Sequence, residues 1–457
     1  MQPVMHAIPS LPLRAGLPQA NFSTFLCDLL ICVTEIFILS AENFSHVSVN
    51  PPPFKKSFAT SMNRLEIRAS LALAGIFALR MLGLFILLPI FSVYAQHLTG
   101  GDRPALMGLA LGIYGLIQAC LHIPLGMLSD RIGRKPVIIG GLLLFILGGV
   151  IAACANNLGG IALGRGIQGA GAISAAITAL IADLTREEHR SKAMAIIGAS
   201  IGIAFALSLV IATPLYQRIG MSGIFWLMSM LGCGAIILVV KAIPPTPQRT
   251  LLSNPSQLRQ IASRTDLWRL NFGVLVLHTT QIAMFLVVPR LLSDAGLPLI
   301  AHWKIYLPVV LCSFALMLWP MIAAERTGKI RLVLLAAIGL LIGVQLLFAL
   351  QAKSFAQAGG LGMIAFLLLL FFTAFNLLEA LQPALVSRLA NDAKGTALGI
   401  YNTMQALGLF LGGALGGMLL KFAGTPTIFL SCASLLLLWL IIANSMQEIP
   451  RRQPNTI

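Results

Sequence analysis

Leu142-Leu143-Leu144-Phe145-Ile146-Leu147-Gly148-Gly149-Val150-Ile151-Ala152-Ala153-Cys154-Ala155 contains no charge, no amide and no hydroxyl. Ile364–Phe372 reads the same way, apolar on every face. A strand of an outer-membrane barrel alternates apolar and polar residues over about ten positions, so neither stretch is one. With no water to satisfy the backbone in a bilayer core, a helix is the remaining solution.

Outward from that stretch, apolar segments of about 20 residues recur between short polar breaks, the length a helix needs to cross about 30 Å of hydrocarbon. The chain of 457 residues is 58% hydrophobic and 10% charged, against roughly 45–50% and about 25% in an ordinary soluble domain. The reading is an all-α membrane protein with spans at 71–95, 105–127, 136–155, 158–182, 193–215 and 222–243, then 269–292, 304–323, 331–350, 358–386, 396–419 and 425–445. Residues 244–268, opening with Pro244, Pro245 and Pro247, are the long polar break at the middle of that count. They divide a six-helix bundle at 62–243 from a second at 269–447, with a tail at 448–457.

The formal charge of +16 raises nucleic acid as a partner, and the distribution of the basic residues excludes it. Twenty Lys and Arg fall on one set of loops and helix ends, among them Arg64, Arg134, Arg186 and Arg326; six fall on the other, among them Arg103, Arg290 and Lys421. That asymmetry is the positive-inside signature, and it puts the linker and C-terminus in the cytoplasm. The seven cysteines (27, 32, 120, 154, 233, 312, 432) show no CxxC or Cys/His spacing, so neither a metal nor another cofactor is expected.

Residues 1–61 stand outside this plan. Phe25–Leu39 is apolar but carries Asp28 and Glu35, too short and too charged to span. It has no basic leader and no small-residue cleavage site, so it is not read as a signal peptide. Met62 opens a basic segment leading into the first span, so the expectation is a start at Met62 or a disordered extension before it.

The two halves look like repeats. Asp130-Arg131-Ile132-Gly133-Arg134 precedes the third span and Glu325-Arg326-Thr327-Gly328-Lys329 the ninth; Lys192-Ala193-Met194-Ala195-Ile196 opens the fifth and Thr396-Ala397-Leu398-Gly399-Ile400 the eleventh. Parallel repeats of this kind place a substrate site near the midplane between them.

Gly126-Met127-Leu128-Ser129-Asp130-Arg131-Ile132-Gly133-Arg134-Lys135-Pro136 joins the second and third spans. It resembles, over its full length, the signature loop G-x-L-x-D-R-x-G-R-[RK] of the major facilitator superfamily. The glycines permit a tight turn, and a carboxylate is favoured beside a helix N-terminus. The resemblance implies a conformational switch made of Gly126, Asp130, Arg131, Gly133, Arg134 and Lys135, with Asp130 facing the Thr396 region and pairing with Arg134. It also implies the major facilitator fold of twelve helices in two pseudo-symmetric six-helix bundles. A cluster that merely enforces topology is the bland alternative.

Arg165-Gly166-Ile167-Gln168-Gly169 resembles R-x-x-Q-G, a motif of proton-driven antiporters in that family, which implies that Arg165, supported by Gln168 and Gly169, influences proton release. An Arg at such depth costs about 2.5–3.5 kcal/mol; a packing role bonded to Gln168 is the alternative. Gly164, Gly166 and Gly169 also spell G-x-G-x-x-G, but no strand precedes them, and the nucleotide fingerprint is rejected. The antiporter motif G-x-x-x-G-P-x-x-G-G is only partly kept: Gly198 and Gly202 have the small-xxx-small spacing of packed helices, while Thr213-Pro214 stands where Gly-Pro is usual. Gly108 and Gly112 in the second span and Gly408, Gly412 and Gly416 in the eleventh are expected against each other at the seam.

Glu379 is the one acidic residue inside an expected span. An ionised carboxylate costs more there than its protonated form, so Glu379 is the leading proton-site candidate, with Asn376, Gln382 or a neighbouring helix as its partner if it is structural. Arg80 could pair with Glu379 or an anionic substrate, and His278 could titrate; each has packing as its alternative.

Phe77–Gly83, Asp183–Glu187 and Phe375–Leu381 resemble a bacterial branch of the drug/proton antiporters that carries a ferredoxin-like domain after the last helix. This chain stops at Ile457, and regulation through that domain is not expected. The resemblance implies a monomeric, multi-pass inner-membrane exporter of small amphipathic compounds or drugs, coupled to protons and not an enzyme. Symport, uniport of a metabolite and a non-transporting sensor remain alternatives, and the absence of G-x-x-x-x-G-K-[ST] argues against a primary pump.

Overall fold

Backbone groups in oil must bond within their own segment, and apart from an isolated bridge between Thr99 and Asn157 every regular element among the described residues is a helix. The computed structural model describes residues 62–171, 173–243, 264–352, 360–390 and 394–446. The expectations for 1–61, for most of the linker (244–263) and for the tail lie outside the described residues.

The first six helices run α1 (Arg64–Ile86), α2 (Leu88–Tyr94), α3 (Pro104–Ile132), α4 (Arg134–Cys154), α5 (Leu158–Ala170) and α6 (Ser174–Leu184). They are followed by α7 (Glu187–Ala242), α8 (Thr265–Asp294), α9 (Trp303–Thr327), α10 (Ile330–Gln351), α11 (Gly360–Leu389) and α12 (Lys394–Asn444). Helix α1 begins seven residues earlier than its apolar run suggests because Glu66, at its third position, accepts from the Asn63 backbone N–H at 2.8 Å, a first-turn carboxylate on the positive end of the helix dipole. Only Gly133 separates α3 from α4, at φ 99°, a conformation that other residues rarely adopt.

Nine helical runs among the described residues are long and apolar enough to span a membrane, where twelve spans are expected. Two of the differences arise at glycines. Helix α7, 56 residues, would measure about 84 Å if straight, and α12, 51 residues, about 77 Å. Each is two helices meeting at a non-helical glycine, Gly220 (φ 65°) and Gly424 (φ 77°). The third is a break: the segment expected at 158–182 is divided into α5 and α6 around Gly171 and Ile173, and neither piece alone reaches spanning length. Gly171 lies against the Gly141 carbonyl, so the break is held by α4.

Helices α1, α4, α6 and α7 enclose one core of Leu73, Phe77, Ile138, Leu142, Ile177, Leu180, Ile197 and Val239. Leu163, Met230, Trp319, Leu350, Phe422 and Ile441 are exposed, an apolar outer surface that a protein in water rarely tolerates and a bilayer covers.

The glycine pairing differs from the expectation. A methyl on Gly108 or Gly413 would overlap the other residue's carbonyl oxygen, one on Gly112 would sit 2.7 Å from the Phe410 oxygen, and one on Gly115 would overlap the Ala406 oxygen. The α3–α12 seam is therefore built with Ala406, Phe410, Gly413 and Gly417. Gly408, Gly412 and Gly416 turn the other way, onto Leu275, Thr279 and Ala283 of α8. The five-residue offset between Gly408 and Gly413 puts them on different faces of one helix, so both faces of α12 approach backbone closely. Gly198 faces open space and Gly202 meets only the Phe314 ring at 3.9 Å, so the close packing expected of that pair is not found.

Candidate functional site

Three polar clusters stand out among the described residues. The first lies at the end carrying Arg64 and Arg134, hereafter the basic end. Asp130, near the end of α3, pairs with Arg134, the first residue of α4. Arg134 Nη1 also donates to Ser129 Oγ at 2.7 Å, and its Nε donates to Asp183 Oδ2 at 3.3 Å. Ser129 Oγ in turn donates to the Gly126 carbonyl at 2.7 Å. One guanidinium thus joins two carboxylates on α3 and α6. Lys135 donates to the Ile243 carbonyl, tying the start of α4 to the end of α7, while Arg131 is exposed. The expected Asp130–Arg134 pair is present; Asp183 is a partner that the sequence reading did not assign.

Nearby is a pair that the sequence reading missed. Glu66 is buried and accepts from Arg186 Nε and Nη2, both at 2.9 Å, and from the Arg186 backbone N–H at 3.0 Å. Two parallel N–H bonds to one carboxylate give a bidentate fork. The expectation that Glu379 alone among the acids lies inside a span overlooked Glu66 because the apolar run starts after it.

The second cluster surrounds Tyr114 on α3. Arg80 of α1 donates to the Tyr114 hydroxyl and, at 3.2 Å, to Ser174 Oγ at the start of α6. Arg165 of α5 donates to Gln168 Oε1 at 3.1 Å, and its guanidinium carbon lies 4.8 Å from the Tyr114 ring centre. Gly169 presses on the Tyr114 carbonyl. One and two turns beyond Tyr114, Gln118 and His122 meet at 3.2 Å, and His122 Nδ1 has no partner. The packing partner proposed for Arg165 is therefore present, and the proposed Arg80–Glu379 pair is not: Arg80 lies with Tyr114, and Glu379 has other neighbours.

Glu379 of α11 anchors the third cluster. Gln405 Nε2 of α12 donates to Glu379 Oε1 at 3.2 Å and lies 2.7 Å from His278 Nε2 of α8; Glu379 Oε2 is 3.5 Å from that same nitrogen. His278 Nδ1 is 3.0 Å from the Val274 carbonyl oxygen. A carbonyl only accepts, so Nδ1 carries the hydrogen, and Nε2 of the neutral ring offers a lone pair. The Gln405 amide nitrogen serves both the lone pair and the carboxylate, which its oxygen could not. Glu379 Oε2 has no hydrogen-bond partner among the described residues. A proton on Nε2 would set donor against donor at Gln405, with Glu379 Oε2 the acceptor within reach.

Glu379 and His278, candidates on separate segments of sequence, are thus brought together, and the joining residue, Gln405, was not singled out. Asn376 bonds Ser313 at 3.1 Å instead of Glu379, and Gln382 is fully buried without a partner. Tyr401, one turn before Gln405, is buried with a free hydroxyl. Aromatic rings run between the second and third clusters: Phe205 of α7 packs on Phe85 of α1 at 5.1 Å and on Phe372 of α11 at 5.9 Å, and Phe375 packs on His278 at 5.7 Å. Pro214 lies inside α7, six residues before the bend at Gly220, and Thr213 beside it is buried without a partner.

No group of three or more metal-ligating side chains occurs among the described residues.

Comparison with known proteins bears directly on this arrangement. The family model described as Major Facilitator Superfamily matches residues 73–413 and 302–456. The Escherichia coli inner membrane transport protein YajR is 40% identical over 84% of this chain and 84% of its own. A Yersinia enterocolitica protein named multidrug resistance protein MdtH is 27% identical over 74% of this chain and 82% of its own. Among solved structures, a bacterial homologue of the human lysosomal transporter Spinster, inward-facing and occupied, superposes with a TM-score of 0.63 at 14% identity, covering 84% of this chain and 97% of that one; this likeness speaks for the fold alone. The chain is a multi-pass membrane transporter belonging to the major facilitator superfamily.

Proposed function

We propose that the protein exports small amphipathic organic compounds in exchange for protons, by alternating access between two six-helix halves. The observation that carries this reading is the Glu379–His278–Gln405 network, a carboxylate and an imidazole 3.5 Å apart inside helices of a transporter. A proton taken up there changes the hydrogen-bond needs of Gln405, which stands on α12. That helix also forms the seam with α3, so protonation and the seam share one element. The multidrug name of the Yersinia relative agrees with an organic cargo.

In this reading each kinked run counts as two spans and α5 with α6 as one, making six spans at 62–243 and six at 269–447. The basic end faces the cytoplasm of a bacterial inner membrane, with the linker and C-terminus on that side. The α3–α12 contact then closes the outer end, while Asp130, Arg134 and Asp183 form the inner switch together with Gly126, Gly133 and Lys135. The protein works as a monomer.

The test is purified protein in inverted proteoliposomes with an imposed pH gradient, assayed against a panel of organic compounds. Gradient-driven accumulation of at least one compound, with matching proton release, is expected. Accumulation that ignores the gradient, or proton movement in the same direction as the compound, overturns antiport.

A further inference from the structure

We propose that Arg80 and Arg165, on either side of Tyr114, bind a single oxyanionic group of the transported molecule, a carboxylate or sulfonate on an organic body. The inference deepens the function proposed above and takes from it only that the chain carries organic compounds.

Both side chains are almost wholly enclosed, each 2% exposed. An arginine stays charged in any protein setting and carries five N–H donors. Arg80 uses two of its donors and Arg165 one, and the Nε of each has no acceptor. Among the described residues, no carboxylate pairs with either. Among the acids nearest the polar clusters, Glu66 is held by Arg186, Asp130 and Asp183 by Arg134, and Glu379 by Gln405 and His278.

Tyr114 supplies part of the compensation. Arg165 lies over its ring at 4.8 Å, Arg80 stands 5.8 Å from the ring centre, and the hydroxyl accepts from Arg80. A desolvated cation–π contact offsets only part of the cost of burying an ion. Two enclosed cations sharing one phenol remain under-compensated, and each free Nε–H is a donor that an oxyanion can use. His122 Nδ1, also without a partner, adds a donor in the same cluster, because its Nε2 faces the Gln118 amide nitrogen at 3.2 Å and so is the acceptor. Tyr114 precedes Gly115, which abuts Ala406 and Phe410 of α12, so the cluster borders the α3–α12 seam.

The experiment is isothermal titration of the full chain in detergent with three probes of one shape: 2-naphthoate, naphthalene-2-sulfonate and the neutral 2-naphthamide. Either anion should bind at least tenfold more tightly than the amide. Arg80→Gln and Arg165→Gln should each weaken anion binding by about tenfold or more, the loss of hydrogen bonds to a charged group, without changing the response to the amide. Equal affinity for amide and anions, no binding of either anion, or wild-type affinity in both variants overturns the site. The wild-type comparison stands if a variant does not fold, and Arg80→Lys, which keeps charge but loses the planar fork, should still weaken binding several-fold. Binding is read without a proton gradient. Failure here with gradient-driven flux intact removes the anion site alone; anion binding without flux removes the transport reading alone.

Discussion

Gly413→Ala isolates the α3–α12 seam. The added methyl would overlap the Gly108 carbonyl oxygen and lie 2.8 Å from Gly112 N and 2.9 Å from Gly112 Cα. All three atoms are backbone and cannot rotate aside, so α12 must withdraw by the better part of an ångström. Overpacking of this kind costs typically 1–3 kcal/mol, and the cost falls only on the state in which the seam is closed. The closed-to-open ratio should therefore drop by roughly 5- to 150-fold. Spin labels at Gln96 and Lys421, both exposed at the end away from the basic loops, would report it by pulsed dipolar spectroscopy in a background freed of native cysteines. Wild type should show mainly a short distance, and Gly413→Ala a longer one at its expense. Gly399→Ala, on the same helix with nothing within 4 Å of the new methyl, should match wild type. An unchanged distribution in Gly413→Ala, or an equal change in Gly399→Ala, would refute the assignment of the seam.

Glu66→Ala should lower thermal stability by about 3 kcal/mol: two backbone donors lose their acceptor at roughly 1–3 kcal/mol each, while the half-exposed Arg186 side chain adds little after solvent screening. At about 2 °C per kcal/mol the melting temperature in detergent should fall by about 6 °C, and a fall under 1 °C would contradict the fork. Gly148→Ala, whose methyl would overlap the Gly164 carbonyl and lie 2.5 Å from Gln168 N, should cost about 1–3 kcal/mol by the same melting assay without altering the Gln96–Lys421 distance. Gln405→Leu removes the donor shared by His278 and Glu379; proton-driven flux should fall at least tenfold while the melting temperature changes by less than that of Glu66→Ala, and full flux would deny Gln405 its place in the relay.

The sequence made the bilayer plan legible because an unbroken run such as Leu142–Ala155 has only one way to satisfy its backbone. It also made the Asp130–Arg134 pair legible, four residues apart in a loop of recognisable pattern. Contacts that span the chain were not legible. Glu66 and Arg186 are separated by 120 residues and Gln405 and His278 by 127, and nothing local to either marks the other. Charge alone offers Arg80 either Glu379 or an anionic substrate, with packing as the alternative; in the structure it turns to Tyr114 and to Ser174, which follows the break at Gly171. The glycines show a subtler gap. Gly408, Gly412, Gly413, Gly416 and Gly417 all read as small residues on one helix, and only the helix neighbours reveal that 413 and 417 meet α3 whereas 408, 412 and 416 meet α8. Gly169, Gly171 and Ser174 stand in close succession where the span divides into α5 and α6, but hydropathy alone runs through them.

In the proposed cycle protons act through Glu379. Two fluxes of one substrate, compared in the same proteoliposomes carrying Glu379→Gln, test this: uptake driven by a pH gradient, and exchange of labelled for unlabelled substrate with no gradient. Gradient-driven uptake should be abolished and exchange retained, since a permanently neutral side chain mimics the protonated carboxyl and leaves rocking intact. Gradient-driven uptake at the wild-type rate would contradict that role of Glu379.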